Sequence, residues 1–196
     1  MVISRHEKKK VSDMNIFINA GHDIDHDAGA TNEILGITEA EIALKVSNKV
    51  SEYLQAVGLV TKVMQSDNLN YDSVYPDRPY PVCVASNEWP SDLFISIHCN
   101  AFNTMAHGTE CLVYSKGGNS ERLANCIQTQ IVNSLETTDR GIKERPDLTV
   151  LRRTDCTATL VEMAFIDHPE EGILLRDKYD EFAKAIARGV TDYIIS

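Results

Sequence analysis

The sequence predicts an α/β fold: a single three-layer domain in which helices cover both faces of a mixed, mostly parallel sheet. Three observations predict it. Short β-rich runs alternate with segments of helical period, the pattern of strand-helix-strand units. One run, Leu93-Phe94-Ile95-Ser96-Ile97-His98, is apolar on both faces, which suits a strand covered from two sides. The 196 residues show no internal repeat, low-complexity linker or second boundary, and they match one domain of roughly 100–200 residues.

Asn15 to Ala20 reads as the first strand, ending in a glycine- and acid-bearing loop that runs to Gly36. Ile42, Val46, Val50 and Leu54 then recur every four residues, the stripe of an amphipathic helix. Thr38 and Glu41 form a capping box at its start, and Gly58 supplies its stop. Leu59 to Met64 reads as a second strand, followed by a long loop from Gln65 to Pro81 and a short helix near Val82 to Trp89. After Leu93 to His98, another strand is expected at Thr109 to Tyr114. A helix is expected from about Ser120 to Leu135, where Leu123, Ile127, Ile131 and Leu135 share a face. Thr149 to Arg152 and Thr159 to Phe165 read as extended, and Phe182, Ile186 and Val190 mark a closing helix.

Residues 1–14 read as a flexible basic tail carrying Arg5, Lys8, Lys9 and Lys10, with the folded domain at 15–196. No apolar segment of about 7–15 residues follows the basic run, as a secretory signal requires, and no stretch approaches the roughly 20 apolar residues of a membrane span. A net charge of -10 repels nucleic acid and other polyanions. Cys83, Cys99, Cys111, Cys126 and Cys156 contain no C-x-x-C pair, so they read as small apolar residues rather than as a disulfide framework or a thiolate metal site.

His22, Glu39 and His98 each place a good metal ligand at a strand end or a helix start, where functional groups gather in open α/β sheets. Two imidazoles and one carboxylate form a ligand set of catalytic zinc, leaving one position for water. Each residue also has an ordinary reading, as a loop or core histidine or as a glutamate facing a helix dipole. His6, His26, His107 and His168 compete as ligands, His26 most directly because it shares a loop with His22. Glu162 interrupts the apolar run Thr159 to Phe165. A carboxylate placed there is either a general acid/base with raised proton affinity or the partner of an arginine such as Arg152 or Arg153.

The order of Gly21-His22, Asp27-Ala28-Gly29-Ala30, Glu39, Ser96-Ile97-His98-Cys99-Asn100-Ala101 and Leu160-Val161-Glu162-Met163-Ala164-Phe165 resembles the zinc-dependent N-acetylmuramoyl-L-alanine amidases of the type 3 group. The resemblance runs from about Asn15 to Ile194. It includes Gly108-Thr109-Glu110, Arg140-Gly141-Ile142-Lys143 and the closing helix. It implies that His22, Glu39 and His98 bind Zn2+ and that Glu162 is the catalytic acid/base. The substrate it implies is peptidoglycan, cut at the amide between N-acetylmuramic acid and L-alanine. Strand alternation places Asn100 on the His98 side and Cys99 opposite. Asn100 is therefore a candidate to orient a ligand or touch substrate, and Asp27 a candidate acceptor for a zinc-bound imidazole.

The sequence departs from the family pattern at Asp23-Ile24, near Thr157, at His168 and at Gln65, positions that bear on loop geometry and substrate fit. Action on the cell wall is expected, outside the membrane or in the periplasm, with release by a holin-type pore, by lysis or through a segment absent from this chain. A zinc peptidase or deacetylase with the same ligands, and a non-catalytic wall-binding module, are the competing readings.

Overall fold

A computed structural model describes residues 14–70 and 80–196. The basic residues of the tail, His6 and most of the loop before Pro81 lie outside the described residues. In chain order the elements are β1 (Asn15–Ala20), β2 (Thr31–Asn32), β3 (Ile37–Thr38), α1 (Glu39–Ala56), β4 (Val60–Gln65), α2 (Val82–Glu88) and β5 (Leu93–Asn100). Then come β6 (Thr109–Val113), α3 (Asn119–Leu135), β7 (Asp139–Glu144), α4 (Thr149–Arg152), β8 (Thr157–Phe165), α5 (Pro169–Asp177) and α6 (Tyr179–Ile195).

Six strands form one sheet in the order β4-β1-β5-β8-β6-β7. β4, β1, β5 and β8 run parallel, β6 pairs antiparallel with β8, and β7 runs parallel to β6. The expected mixed, mostly parallel sheet is therefore present, with β2 and β3 as a small separate hairpin inside the loop after β1.

Side-chain alternation divides the core in two. Ile16, Ile18, Ile95, Ile97, Cys111, Val161 and Met163 point to the face covered by α1, α3 and α6. The stripes of those helices are buried there, including Ile42, Val46, Val50 and Leu54 of α1 and Phe182, Ile186 and Val190 of α6. Phe17, Phe94, Leu112 and Leu160 point to the other face, which α2 and α4 cover through Val82, Cys83, Val150 and Leu151. Phe17 and Phe94 stack with ring centroids 5.7 Å apart. Each fully buried Ile, Leu or Phe contributes roughly 1.5–3 kcal/mol, so both layers matter to stability.

Three elements differ from the sequence expectation. Thr149 to Arg152 is a helical turn, not an extended segment. Val150 and Leu151 are adjacent yet both buried on one side, which a helix permits and a strand, turning 180° per residue, does not. β7 carries no apolar alternation (DRGIKE), because an exposed edge strand owes its place to backbone pairing with β6. The closing helical region is two helices, with α5 capped by His168, whose ring accepts from the Glu171 N–H at 3.4 Å.

No helix among the described residues is long and apolar enough to cross a membrane. All five cysteines are free; Cys83, Cys99 and Cys111 are buried, and burial pushes the Cys83 thiol up to about 11.

Candidate metal centre

The carboxyl end of β1 delivers His22. Gly21 continues the strand by donating its N–H to Ile97 O at 2.9 Å, and the chain then turns at His22 with φ +61°. A left-handed conformation is uncommon for a residue with a Cβ and is maintained only where the surroundings enforce it. Here the enforcing contacts are the Asp23–Asp27 bridge that closes the loop and the bond from His22 Nδ1 to Asp27 Oδ2 at 2.8 Å. Gln65, one of the departures from the family pattern, donates to Gly21 O at 3.2 Å and to Ala40 O at 2.9 Å, so it ties this turn to the head of α1.

Glu39 is the first residue of α1. Thr38 caps the helix by accepting from the Glu41 N–H at 3.2 Å, half of the expected capping box. The Glu39 N–H donates to Ala30 O at 2.8 Å. Its carboxylate is 4% exposed and accepts from the Ala30 N–H at 3.0 Å and the Cys99 N–H at 3.0 Å. Oε2 lies 3.1 Å from His22 Nε2 and Oε1 lies 2.9 Å from His98 Nδ1. One ligand atom from each of these three residues lies within 4.8 Å of the others. His26 is exposed and outside the cluster, and His107 and His168 face each other 5.5 Å apart elsewhere.

The hydrogen bonds assign the tautomers. Asn19 Nδ2 donates to Ala20 O and Met64 O, so its Oδ1 faces Ser96 Oγ at 2.7 Å and accepts the hydroxyl proton. Ser96 Oγ, 3.1 Å from His98 Nε2, then accepts from that nitrogen, and in a neutral ring Nδ1 carries the lone pair. At His22 both ring nitrogens face carboxylates, Nδ1 toward Asp27 and Nε2 toward Glu39, so a neutral ring that donates to Asp27 turns its Nε2 lone pair to Glu39. With both rings neutral, two lone pairs meet one carboxylate with no proton between them, an arrangement that requires either two added protons or a shared cation. Burial opposes charge on His22, but the hydrogen bonds and charges of Glu39 and Asp27 outweigh it and raise its proton affinity. Burial likewise opposes ionisation of Glu39, yet the hydrogen bonds and charges of both histidines hold its pKa far below the usual carboxylate range. A field that favours a proton here favours a divalent cation for the same reason, and the donor set fits zinc.

Two glycines let the rings lie against backbone. A Cβ on Gly21 would collide with the His98 ring, and one on Gly29, at φ +66°, would sit 2.6 Å from His22 Cδ2 and 2.7 Å from Glu39 Oε2.

Beside the cluster, His98 of β5 pairs in register with Glu162 of β8, which pairs with Glu110 of β6. All three fall on the same side of the sheet as Phe94, Leu112 and Leu160. Glu162 Oε2 is buried without a hydrogen-bond partner among the described residues. Desolvation raises the Glu162 pKa to about 7; His98 and His22 pull it down while Glu39 and Glu110 push it up. Arg152 and Arg153 are exposed at α4, and no bond ties either to Glu162 among the described residues. Asn100 donates from Nδ2 to Glu110 Oε1 at 3.2 Å.

Residues that carry no obvious signature in the sequence complete the site. Asn19 and Ser96 look like ordinary strand residues, and only the fold joins them behind His98. Glu110 interrupts an apolar run just as Glu162 does, and its Oε2 accepts from Arg140 Nε at 2.7 Å and from Lys143 Nζ.

Comparison with known proteins identifies the family of the chain. The protein YqiI of Bacillus subtilis, itself uncharacterised, is 35% identical over 182 residues, 91% of this chain and 84% of its own length. The germination-specific N-acetylmuramoyl-L-alanine amidase of the same organism is 29% identical over 91% of this chain and 78% of its own. The crystal structure of an N-acetylmuramoyl-L-alanine amidase from Clostridium difficile 630 superposes with a TM-score of 0.78 at 28% identity, covering 93% of this chain and 97% of that one. A family model described as N-acetylmuramoyl-L-alanine amidase matches residues 16–192, the span that holds His22, Glu39, His98, Glu110 and Glu162, and the chain belongs to that family.

Proposed function

We propose that this amidase acts on peptidoglycan with zinc held by His22, Glu39 and His98, and with Glu162 as its general acid/base, all within one catalytic domain spanning 15–196. The observation that carries the reading is the convergence of two imidazole nitrogens on the Glu39 carboxylate beside a carboxyl group whose Oε2 is buried without a partner among the described residues. The chemistry such an ion supplies is Lewis-acid polarisation of the scissile carbonyl and of the attacking water.

The residues of the chain do the remainder. Asp27 and Ser96 hold the outer nitrogens of His22 and His98, which fixes both rings and aims their inner nitrogens at the Glu39 carboxylate. Glu162, poised near neutrality, takes a proton from the attacking water onto its carboxylate and returns it to the departing amine of L-alanine, after which the carboxylate is regenerated. The burial of its Oε2 keeps bulk water from competing for that proton.

The test is incubation of the chain with purified peptidoglycan before chelation, after chelation and after zinc is restored. New L-alanine amino termini that vanish with the chelator and return with zinc support the reading. Cleavage between stem residues, or activity indifferent to the chelator, would overturn it.

A further inference from the structure

In a chain of net charge -10, two cations converge on one carboxylate next to the proposed acid/base. Arg140 and Lys143 both donate to Glu110 Oε2, while Glu110 Oε1 accepts from Asn100. The three ionised groups carry one net positive charge. The two cations are not equivalent. Arg140 also donates from Nη1 to His107 O at 3.2 Å and lies over the Phe165 ring, 4.9 Å from its centroid, so it is a fixed strut. Lys143 lies on the edge strand with a side chain 43% exposed, and its ammonium has three protons, of which Glu110 takes one.

Glu110 lies directly across from Glu162, which lies across from His98, so Lys143 Nζ is held at the end of a rank that begins at the metal centre. Strands are spaced by about 4.8 Å, which places Glu110 about 10 Å from His98, the span of roughly two to three extended peptide residues. In the substrate the lactyl carboxyl is consumed in the scissile amide, so the carboxylates near the bond belong to the peptide. We propose that Lys143, positioned by Glu110 and Arg140, binds a carboxylate of the stem peptide just beyond L-alanine and makes the enzyme prefer an anionic stem.

This assignment rests on the amidase reading above. The experiment compares two synthetic muramoyl peptides that differ only in whether the residue after L-alanine bears a carboxylate or a carboxamide. The unsubstituted chain should favour the carboxylate about tenfold in kcat/KM at low salt, chiefly through KM, as one half-exposed charge-assisted bond allows. Lys143→Gln should bring that ratio near one, and Lys143→Arg should retain it. Equal use of both peptides by the unsubstituted chain, or a preference that survives in Lys143→Gln, would overturn the subsite while leaving amidase turnover intact. Failure to cleave either peptide would instead overturn the amidase reading and this assignment with it.

Discussion

The head of α1 and the strand β8 each enclose a glutamate, and they treat it in opposite ways. Glu39 receives two backbone N–H groups and faces two imidazoles, so its charge is stabilised and its pKa is pulled down. Glu162 is left with a bare buried oxygen, and its pKa rises to about 7. Residue type is the same, and each carboxylate has an oxygen shut off from water. The number of donors aimed at each carboxylate decides which is a permanent anion, fit for a cation, and which exchanges a proton near neutral pH.

Replacing His98 with Ala attacks the first environment and should have the largest effect, loss of bound zinc together with essentially all activity, read by elemental analysis and stem-peptide release. Full zinc occupancy in that variant would break the contrast. Glu162→Gln attacks the second, and should keep zinc while lowering turnover by about 10²–10⁴-fold. The same substitution sharpens the comparison in metal-free protein. Burial lets the folded chain keep the Glu162 proton up to about pH 7, whereas the unfolded chain releases it near the ordinary value of 4.5. Folding stability of the unsubstituted chain should therefore fall across that interval relative to Glu162→Gln, by about 2–3 kcal/mol in denaturant titrations at each pH. Parallel curves for the two proteins would mean that the Glu162 carboxyl is solvated after all. The smallest effect is expected from Ser96→Ala, which frees the outer nitrogen of His98. Zinc affinity should drop by about tenfold in competition with a chelator, without loss of fold.

Much of this was legible in the chain because it follows from period and residue type. Ile42 to Leu54 and Phe182 to Val190 advertise their helices, and a two-sided apolar run such as Leu93 to Ile97 announces a covered strand. β7 and α4 were not legible. One is an edge strand held by main-chain pairing, and the other is a single turn whose β-branched residues, Thr149 and Val150, argue for the wrong state. At the site, His22, Glu39, His98 and Glu162 stand out as chemically capable residues at strand ends or in apolar runs. The relay from Asn19 through Ser96 to His98 joins two strands and has no local signature. Gln65 reads only as a departure from the family pattern until its two carbonyl partners are seen.

The reversed direction of β6 has a consequence for how such a site can change. Because β6 opposes β8, its first residues lie beside the last residues of its neighbour, and β7 brings its own beginning to the same end. The reacting end of the sheet is thereby reached by the connections at 101–108 and 136–138 as well as by those that leave β1, β5 and β8. Those two connections form the outer border of the cleft, whereas the strand that presents Glu162 is held between β5 and β6, so the border and the proton-transfer apparatus rest on different parts of the fold.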